Sequence, residues 1–313
     1  MELLALRWVL LAGTLLSMSA TSSAMCQGDL GPTTVRMDMA PQSFDDQYKG
    51  CENKMKAVLP KVGRMEIAKN KLFAAIWMKA SVKWQQLCSH PSTCPHLTRE
   101  QAIAVLAYSA AGGMYKQFNA ATRQGRRSHQ HYIKSYHFKM LHFFLTQAVQ
   151  ALRRSGPKKC YHVYRGVRGI HFTAKIGTDV RFGQFTSTSL QKAPTKIFGN
   201  DTFFEVKTCY GVPIKKVSFF PSVDEVLVPP YEVFKVTKIT IISGSPQIQL
   251  RSRGTKSFHN CELVKSLGGQ WDQSHQEVGL GLSPGLALHS LPGPRPFSNG
   301  WGHREDGPIP AAL

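Results

Sequence analysis

Two periodicities divide the chain. Between residues 44 and 155 apolar positions recur at three- and four-residue spacing, in "MEIAKNKLFAAIWMKASVKWQQL" (65–87), "TREQAIAVLAYSAAG" (98–112) and "YIKSYHFKMLHFFLTQAVQALRR" (132–154). That spacing places apolar side chains on one face of a helix, so three helices are predicted, their aromatic residues filling a core. Thr98 followed three residues later by Gln101 has the form of a capping box and marks a helix start.

From Cys160 the pattern shortens to runs rich in Val, Ile, Phe, Tyr and Thr, cut by Gly and Pro. "CYHVYRGV", "DVRFGQFTSTSL", "TFFEVKT", "PIKKVSFF", "DEVLV", "YEVFKVTKITII", "PQIQLRS" and "FHNCELVK" each read as strand. A helical half followed by a strand half predicts an α+β fold and not alternating βαβ units.

The two ends read differently from the middle. "MELLALRWVLLAGTLLSMSATSSA" has one basic residue, an apolar run from Trp8 to Leu16 and small residues up to Ala24. The run is too short for a bilayer, so 1–24 is expected to be a secretory signal peptide. Residues 269–313, rich in Gly and Pro without period, are expected to form a disordered tail, leaving 25–268 as the folded domain. No segment reads as a membrane span or a lipid-anchor signal, so a secreted, extracellular product is expected.

Seven cysteines in such a chain allow three disulfides, with Cys26, beside the expected cleavage site, left over. "CSHPSTCPH" fits no common zinc module, so Cys88 and Cys94 are expected to form a local disulfide and no metal is expected. "NDT" makes Asn200 the expected glycosylation acceptor.

The formal net charge is +20, and no Asp or Glu occurs from Gln101 to Thr178. Such a field draws anions: nucleotide phosphates, glycosaminoglycans or anionic lipid. Nucleic acid is not an expected partner, because no finger spacing, aromatic RNA-binding motif or basic-region heptad pattern is present. Neither G-x-G-x-x-G nor a Walker-type loop occurs, which removes the common nucleotide folds.

Three short stretches carry chemistry: "YRG" (164–166), "FTSTS" (185–189) and "DEVLVPP" (224–230). In this order, with "SFDDQYKGC" before them and "FHNCELVK" after, the chain resembles the vertebrate ecto-ADP-ribosyltransferases, the arginine-specific family with an Arg, Ser, Glu-x-Glu signature. The resemblance spans roughly residues 38–266, and its wording lies close to the Dombrock-carrier branch.

That resemblance implies two strand groups forming a cleft for NAD, which serves as co-substrate, beside the helical region. It implies Arg165 on the pyrophosphate, Glu225 on the ribose beside the bond that breaks, and Ser187 holding that Glu in register. Gly166, Gln184, Phe198 and Tyr108 fall in segments that resemble the family's nucleotide pocket, with core packing the competing role for Phe198 and Tyr108. The family's disulfide pattern implies Cys51 with Cys261 and Cys160 with Cys209. Proteins with exposed arginine are the implied acceptors. Chemically, cleavage of the nicotinamide–ribose bond passes through an oxocarbenium-like state, which a neighbouring carboxylate stabilises.

The sequence departs from the signature at Val223, where the first Glu of Glu-x-Glu is expected. The second carboxylate assists cleavage of NAD; the first activates the acceptor guanidinium. Asp224 points to the opposite face if 223–225 is extended, and Asp201 and Glu232 are the other carboxylates that could enter the site. Loss of the first Glu favours water as a competing acceptor, the NAD glycohydrolase alternative. A non-enzymatic basic protein binding polyanions is the alternative from another class.

Overall fold

Asn70 interrupts what the apolar period joins. In the computed structural model, which describes residues 31–89, 96–157, 159–193 and 199–275 (backbone alone for 269–275), the stretch 65–87 belongs to two helices. α1 (Glu52–Lys69) ends at Asn70, whose side chain accepts from the Phe73 N–H at 3.0 Å and so starts α2 (Lys71–Leu87). Asn favours such a cap over a helix interior because its amide oxygen satisfies an otherwise orphaned N–H. α3 (Arg99–Ser109) begins with the predicted capping box, Thr98 and Gln101 bonding each other's backbone.

α4 (Met114–Gln124) follows, and then the predicted helix over 132–154 is broken into α5 (His129–Ser135) and α6 (Lys139–Ser155). The break is stabilised both from outside the helix pair and from the first residue of α6. Glu66 of α1 accepts the backbone N–H groups of Lys139 (2.8 Å) and Met140 (3.0 Å), capping α6. The Lys139 ammonium turns back to the carbonyls of Ile133 (3.2 Å) and Tyr136 (2.5 Å) at the end of α5. The cap from Glu66, 73 residues away, leaves no trace in the local periodicity.

Ten strands follow the register of the Val/Ile/Phe runs, with exceptions. β1 (Thr33–Arg36) pairs in parallel with β3 (Ile170–Thr173) as a small two-stranded sheet. The others are β2 (Tyr161–Val167), β4 (Asp179–Val180), β5 (Thr186–Ser189), β6 (Thr202–Thr208), β7 (Val212–Pro213), β8 (Glu225–Val228), β9 (Glu232–Ile242) and β10 (Ser245–Thr255). They form one sheet in the order β4-β9-β10-β6-β2-β5-β8-β7, antiparallel except for the β10–β6 pair.

Three expected strands differ. "DVRFGQFTSTSL" is two strands, β4 and β5, separated by a turn at Gly183 (φ +67°), where a Cβ would meet the Ala40 Cβ at 2.5 Å. "PIKKVSFF" keeps only Pro213 in β7 and then coils into a 3-10 turn over Lys215–Val217. "FHNCELVK" is a loop that opens α7 (Glu262–His275), because Glu262 and the residues after it follow the disulfide at Cys261 as a first helical turn. α7 carries on past the boundary expected at 268; the leader and the remainder of the tail lie outside the described residues.

The two strand groups meet at one point. β2 pairs with β6 along its whole length, but with β5 only at Tyr164↔Ser189. β4-β9-β10-β6-β2 and β5-β8-β7 therefore part beyond that pair. Two cores match this division. The helices pack with Phe185, Val212 and Leu227, while Val163, Val206, Phe234 and Leu250 fill a second core in the larger strand group.

Disulfides Cys51–Cys261 and Cys160–Cys209 tie the ends of the folded unit and two neighbouring strands, as the resemblance implies. Cys88 is also disulfide-bonded; Cys94 lies outside the described residues. Beside the first bridge, fully buried Asp45 accepts from the Arg181 guanidinium at 2.5 Å and from the backbone of Phe258 and His259. This junction locks the two ends of the folded unit against the turn that leads into β5.

Candidate active site

Arg165, Ser187 and Glu225 come together where β2 and β5 part. Arg165 is 6% exposed, and alternation along β2 turns it to the same side as buried Val163 and Val167. Its Nη1 donates to the backbone carbonyl of Ser187 at 2.8 Å, so the guanidinium bridges the gap between the two strand groups. A planar fork fixed in this way presents donors in an arrangement suited to phosphate oxygens.

Glu225 opens β8 and is 7% exposed. Burial pushes its carboxyl above the ordinary range, against the hydroxyl of Ser187, the charge of Arg165 and the hydroxyl of Ser218, all of which favour the ionised form. Burial likewise pulls the Arg165 guanidinium down, while Tyr108, Tyr115 and Glu225 hold it up. A carboxylate and a guanidinium stand together in a poorly hydrated site, where charge interactions are strong.

Tyr108 takes the core-packing role that competed with its place in the nucleotide pocket, and its hydroxyl reaches Ser187. Its ring packs against Tyr115, Phe118 and Phe185 in the helical core. Its hydroxyl donates to the Phe185 carbonyl at 2.8 Å, accepts from Asn119 at 3.2 Å and interacts with Ser187. It thus fixes the turn that delivers Ser187.

Gln184 is buried, and its amide oxygen accepts from Arg123 Nη1. Gln184, Thr186, Arg123, Arg165, Arg181 and Phe182 line a cavity of about 500 Å³ that reaches Arg165 but is not lined by Ser187 or Glu225. Its volume suits a bound small molecule. Gly166 is buried in β2 opposite Phe203. Phe198 lies outside the described residues, and Asn200 is exposed ahead of β6.

The segment before Glu225 corrects the expected alternation. Residues Pro221–Val223 form a 3-10 turn and Asp224 is left-handed (φ 48°, ψ 50°), so the strand begins only at Glu225. Val223 is 8% exposed, and its carbonyl accepts from the Ser189 hydroxyl at 2.8 Å. Asp224 is held by Lys215 (2.6 Å) and Gln191 (2.6 Å), which keep its carboxyl below the ordinary range.

The other candidate carboxylates are committed elsewhere. Glu232 is fully buried among Thr208, Ser252 and the backbone of Cys209 and Tyr210. Asp201 accepts from the Gly169 N–H at 2.7 Å.

Sequence reasoning missed Ser218, Asn119 and Arg123. Arg123 is one cation among many in the acid-free stretch, and Ser218 and Asn119 sit in no motif, so no local signal selects them. Among the described residues no group of three His, Cys, Asp or Glu side chains is arranged to hold a metal ion.

The sequence profile of the family NAD:arginine ADP-ribosyltransferase matches residues 37–258. The chain belongs to that family.

Relatives within the NAD:arginine ADP-ribosyltransferases agree over most or all of their length. NAD(P)(+)–arginine ADP-ribosyltransferase 1 of Gallus gallus is 62% identical over 313 residues, 100% of both chains. The GPI-linked NAD(P)(+)–arginine ADP-ribosyltransferase 1 of Homo sapiens is 39% identical, covering 89% of this chain and 90% of its own. The crystal structure of the eukaryotic mono-ADP-ribosyltransferase ART2.2 is similar with a TM-score of 0.63 at 34% identity, covering 72% of this chain and 98% of that one. A mutant of ART2.2 has been solved in complex with NAD, at 33% identity and the same TM-score. Arg165, Ser187 and Glu225, the residues that the resemblance matches to the signature, stand together in this structure, and the residue two before Glu225 is the buried Val223.

Proposed function

We propose that this chain cleaves the nicotinamide–ribose bond of NAD and transfers ADP-ribose to arginine side chains of proteins outside the cell or at its surface. The observation that carries the reading is the contact set joining Arg165, Ser187 and Glu225 across the split between β2 and β5. Arg165 takes the pyrophosphate. The Glu225 carboxylate accepts from a ribose hydroxyl and stabilises the positive charge that develops as nicotinamide departs. Ser187 orients that carboxylate, while Gln184, Tyr108, Gly166 and Phe198 complete the nucleotide pocket.

Three disulfide-bonded cysteine sites fit an oxidising compartment. Secretion after removal of 1–24, with the transferase domain running from 25 through the end of α7 at His275, the residues beyond as its tail and Asn200 glycosylated, is part of this reading. The test of the site is Arg165→Lys: Lys keeps the charge but loses the fork, so KM for NAD rises while the protein stays folded. An unchanged KM would remove Arg165 from the NAD site.

One observation favours a second outcome at the same site. With Val223 buried and Asp224 bound to Lys215 and Gln191, no described carboxylate other than Glu225 is placed to orient an incoming guanidinium. Guanidinium holds its proton strongly, with a pKa above ~12, so attack needs a base. Water competes more effectively here, and some NAD is hydrolysed.

A further inference from the structure

Four basic side chains stand in one cross-strand row on the larger strand group. Lys235 of β9 is the register partner of Arg251 of β10, Arg251 of Lys207 of β6, and Lys207 of His162 of β2. The neighbouring row, Val236, Leu250, Val206 and Val163, is buried in the core, so the basic row faces the other way. That is also the face opposite Arg165 on the same strands.

Like charges placed directly opposite on neighbouring strands destabilise a sheet. The row is not neutralised from within. Lys235 meets Asp179 at 3.5 Å, but His162, Lys207 and Arg251 have no ion-pair partner among the described residues. The acidic residue in the adjoining row, Glu205, is bound by Lys192 (3.0 Å) and by the Gln249 amide (3.0 Å). Lys207 and Arg251, directly opposite each other, therefore persist unneutralised at a cost in stability, in a place the core does not require.

His162, Lys207 and Arg251 of the row line a groove of about 330 Å³, together with Tyr164, Gln249, Thr237 and the Glu205 carboxylate that Lys192 pairs. Strands lie about 4.8 Å apart, so the row extends about 14 Å across four strands. This combines two adjacent cations and a histidine, hydrogen-bonding side chains, an aromatic ring and one carboxylate already paired by Lys192 in one open trough. We infer that this groove binds a sulfated polysaccharide, sulfates on the basic row and sugar hydroxyls on Gln249 and Thr237. The disulfides, which fit an oxidising extracellular setting, favour that polyanion over nucleic acid. The site lies on the sheet, drawing only strand residues such as His162 and Tyr164 from the acid-free stretch, and leaves the Arg165–Glu225 cleft open.

The experiment compares the full chain with Lys207→Gln/Arg251→Gln by calorimetric titration with a sulfated decasaccharide. The same saccharide with its sulfates removed and a single-stranded oligonucleotide serve as alternative probes. Lys116→Gln/Lys134→Gln removes the same charge from exposed positions in the acid-free stretch. The row variant is expected to lose affinity about tenfold, since each exposed ionic contact is worth up to ~1 kcal/mol. The helix variant should change less than about twofold, since its charges lie on the helices and salt screens exposed charges that do not touch the ligand. The row variant's melting temperature should hold or rise, because like-charge pairs are relieved, and its NAD turnover should be unchanged. Equal loss in both variants, retained affinity in the row variant, tighter binding of the oligonucleotide, or a lowered melting temperature would each overturn the assignment.

Discussion

Glu225 lies directly across from Ser189 on the neighbouring strand, yet its carboxylate is bonded by Ser187, two positions along on the same face. The two serines of "STS" thereby divide the work. Ser187 holds the carboxylate, and Ser189 holds the turn before it through the carbonyl of Val223.

Their separate substitution distinguishes these roles. Ser187→Ala removes a hydrogen bond to a charged group, worth about 1.5–3 kcal/mol, so kcat should fall roughly tenfold to a hundredfold. Ser189→Ala should lower the melting temperature while costing less in kcat. Steady-state kinetics and thermal denaturation on the two variants check the division; equal kinetic losses would contradict it.

Glu225 sets a conflict between stability and activity. Burial raises its folded-state pKa, so its contribution to stability is fully present below the unfolded value and is lost as pH rises through the folded value. In its ionised form the carboxylate destabilises the fold relative to a neutral isostere. Glu225→Gln should therefore raise the melting temperature at pH 7 while lowering NAD cleavage by about a hundredfold or more. The acid limb of the kcat profile should lie above the usual carboxylate range. A limb at the ordinary Glu value, or a destabilised variant, would count against the buried geometry.

Val223 marks the acceptor side. Val223→Glu should raise the ratio of ADP-ribosyl-guanidine to free ADP-ribose, at some loss of stability because the position is 8% exposed. Product ratios by mass spectrometry decide it; an unchanged ratio would show that this position does not govern acceptor choice.

Asp45 and Arg181 form the buried pair that joins both ends of the folded unit to the turn before β5. Breaking it from one side leaves an unpaired buried charge, so Arg181→Ala should cost about 3–5 kcal/mol in chemical denaturation. Asp45→Asn, which keeps the shape, should cost less. A loss below about 1 kcal/mol for Arg181→Ala would mean that water reaches the site.

The fold class, the Thr98 cap and the Arg, Ser, Glu stretches were legible because each rests on local spacing or a contiguous motif. The break at Tyr136–Phe138 was not, because Glu66 and Lys139 cap the helix ends from distant or reversed positions. Period-two alternation failed at 223–225 because a 3-10 turn and a left-handed Asp224 precede the strand. Ser218, which bonds Glu225, and Arg123, which bonds Gln184, are reached only through the tertiary fold.

The most direct test of the central claim is mass-resolved NAD turnover by the full chain, with and without a small guanidine acceptor, beside Glu225→Ala. An ADP-ribosyl-guanidine product accompanied by some free ADP-ribose, both lost in the variant, is the predicted result. Free ADP-ribose alone would make the chain a hydrolase, and turnover that survives Glu225→Ala would contradict the site itself.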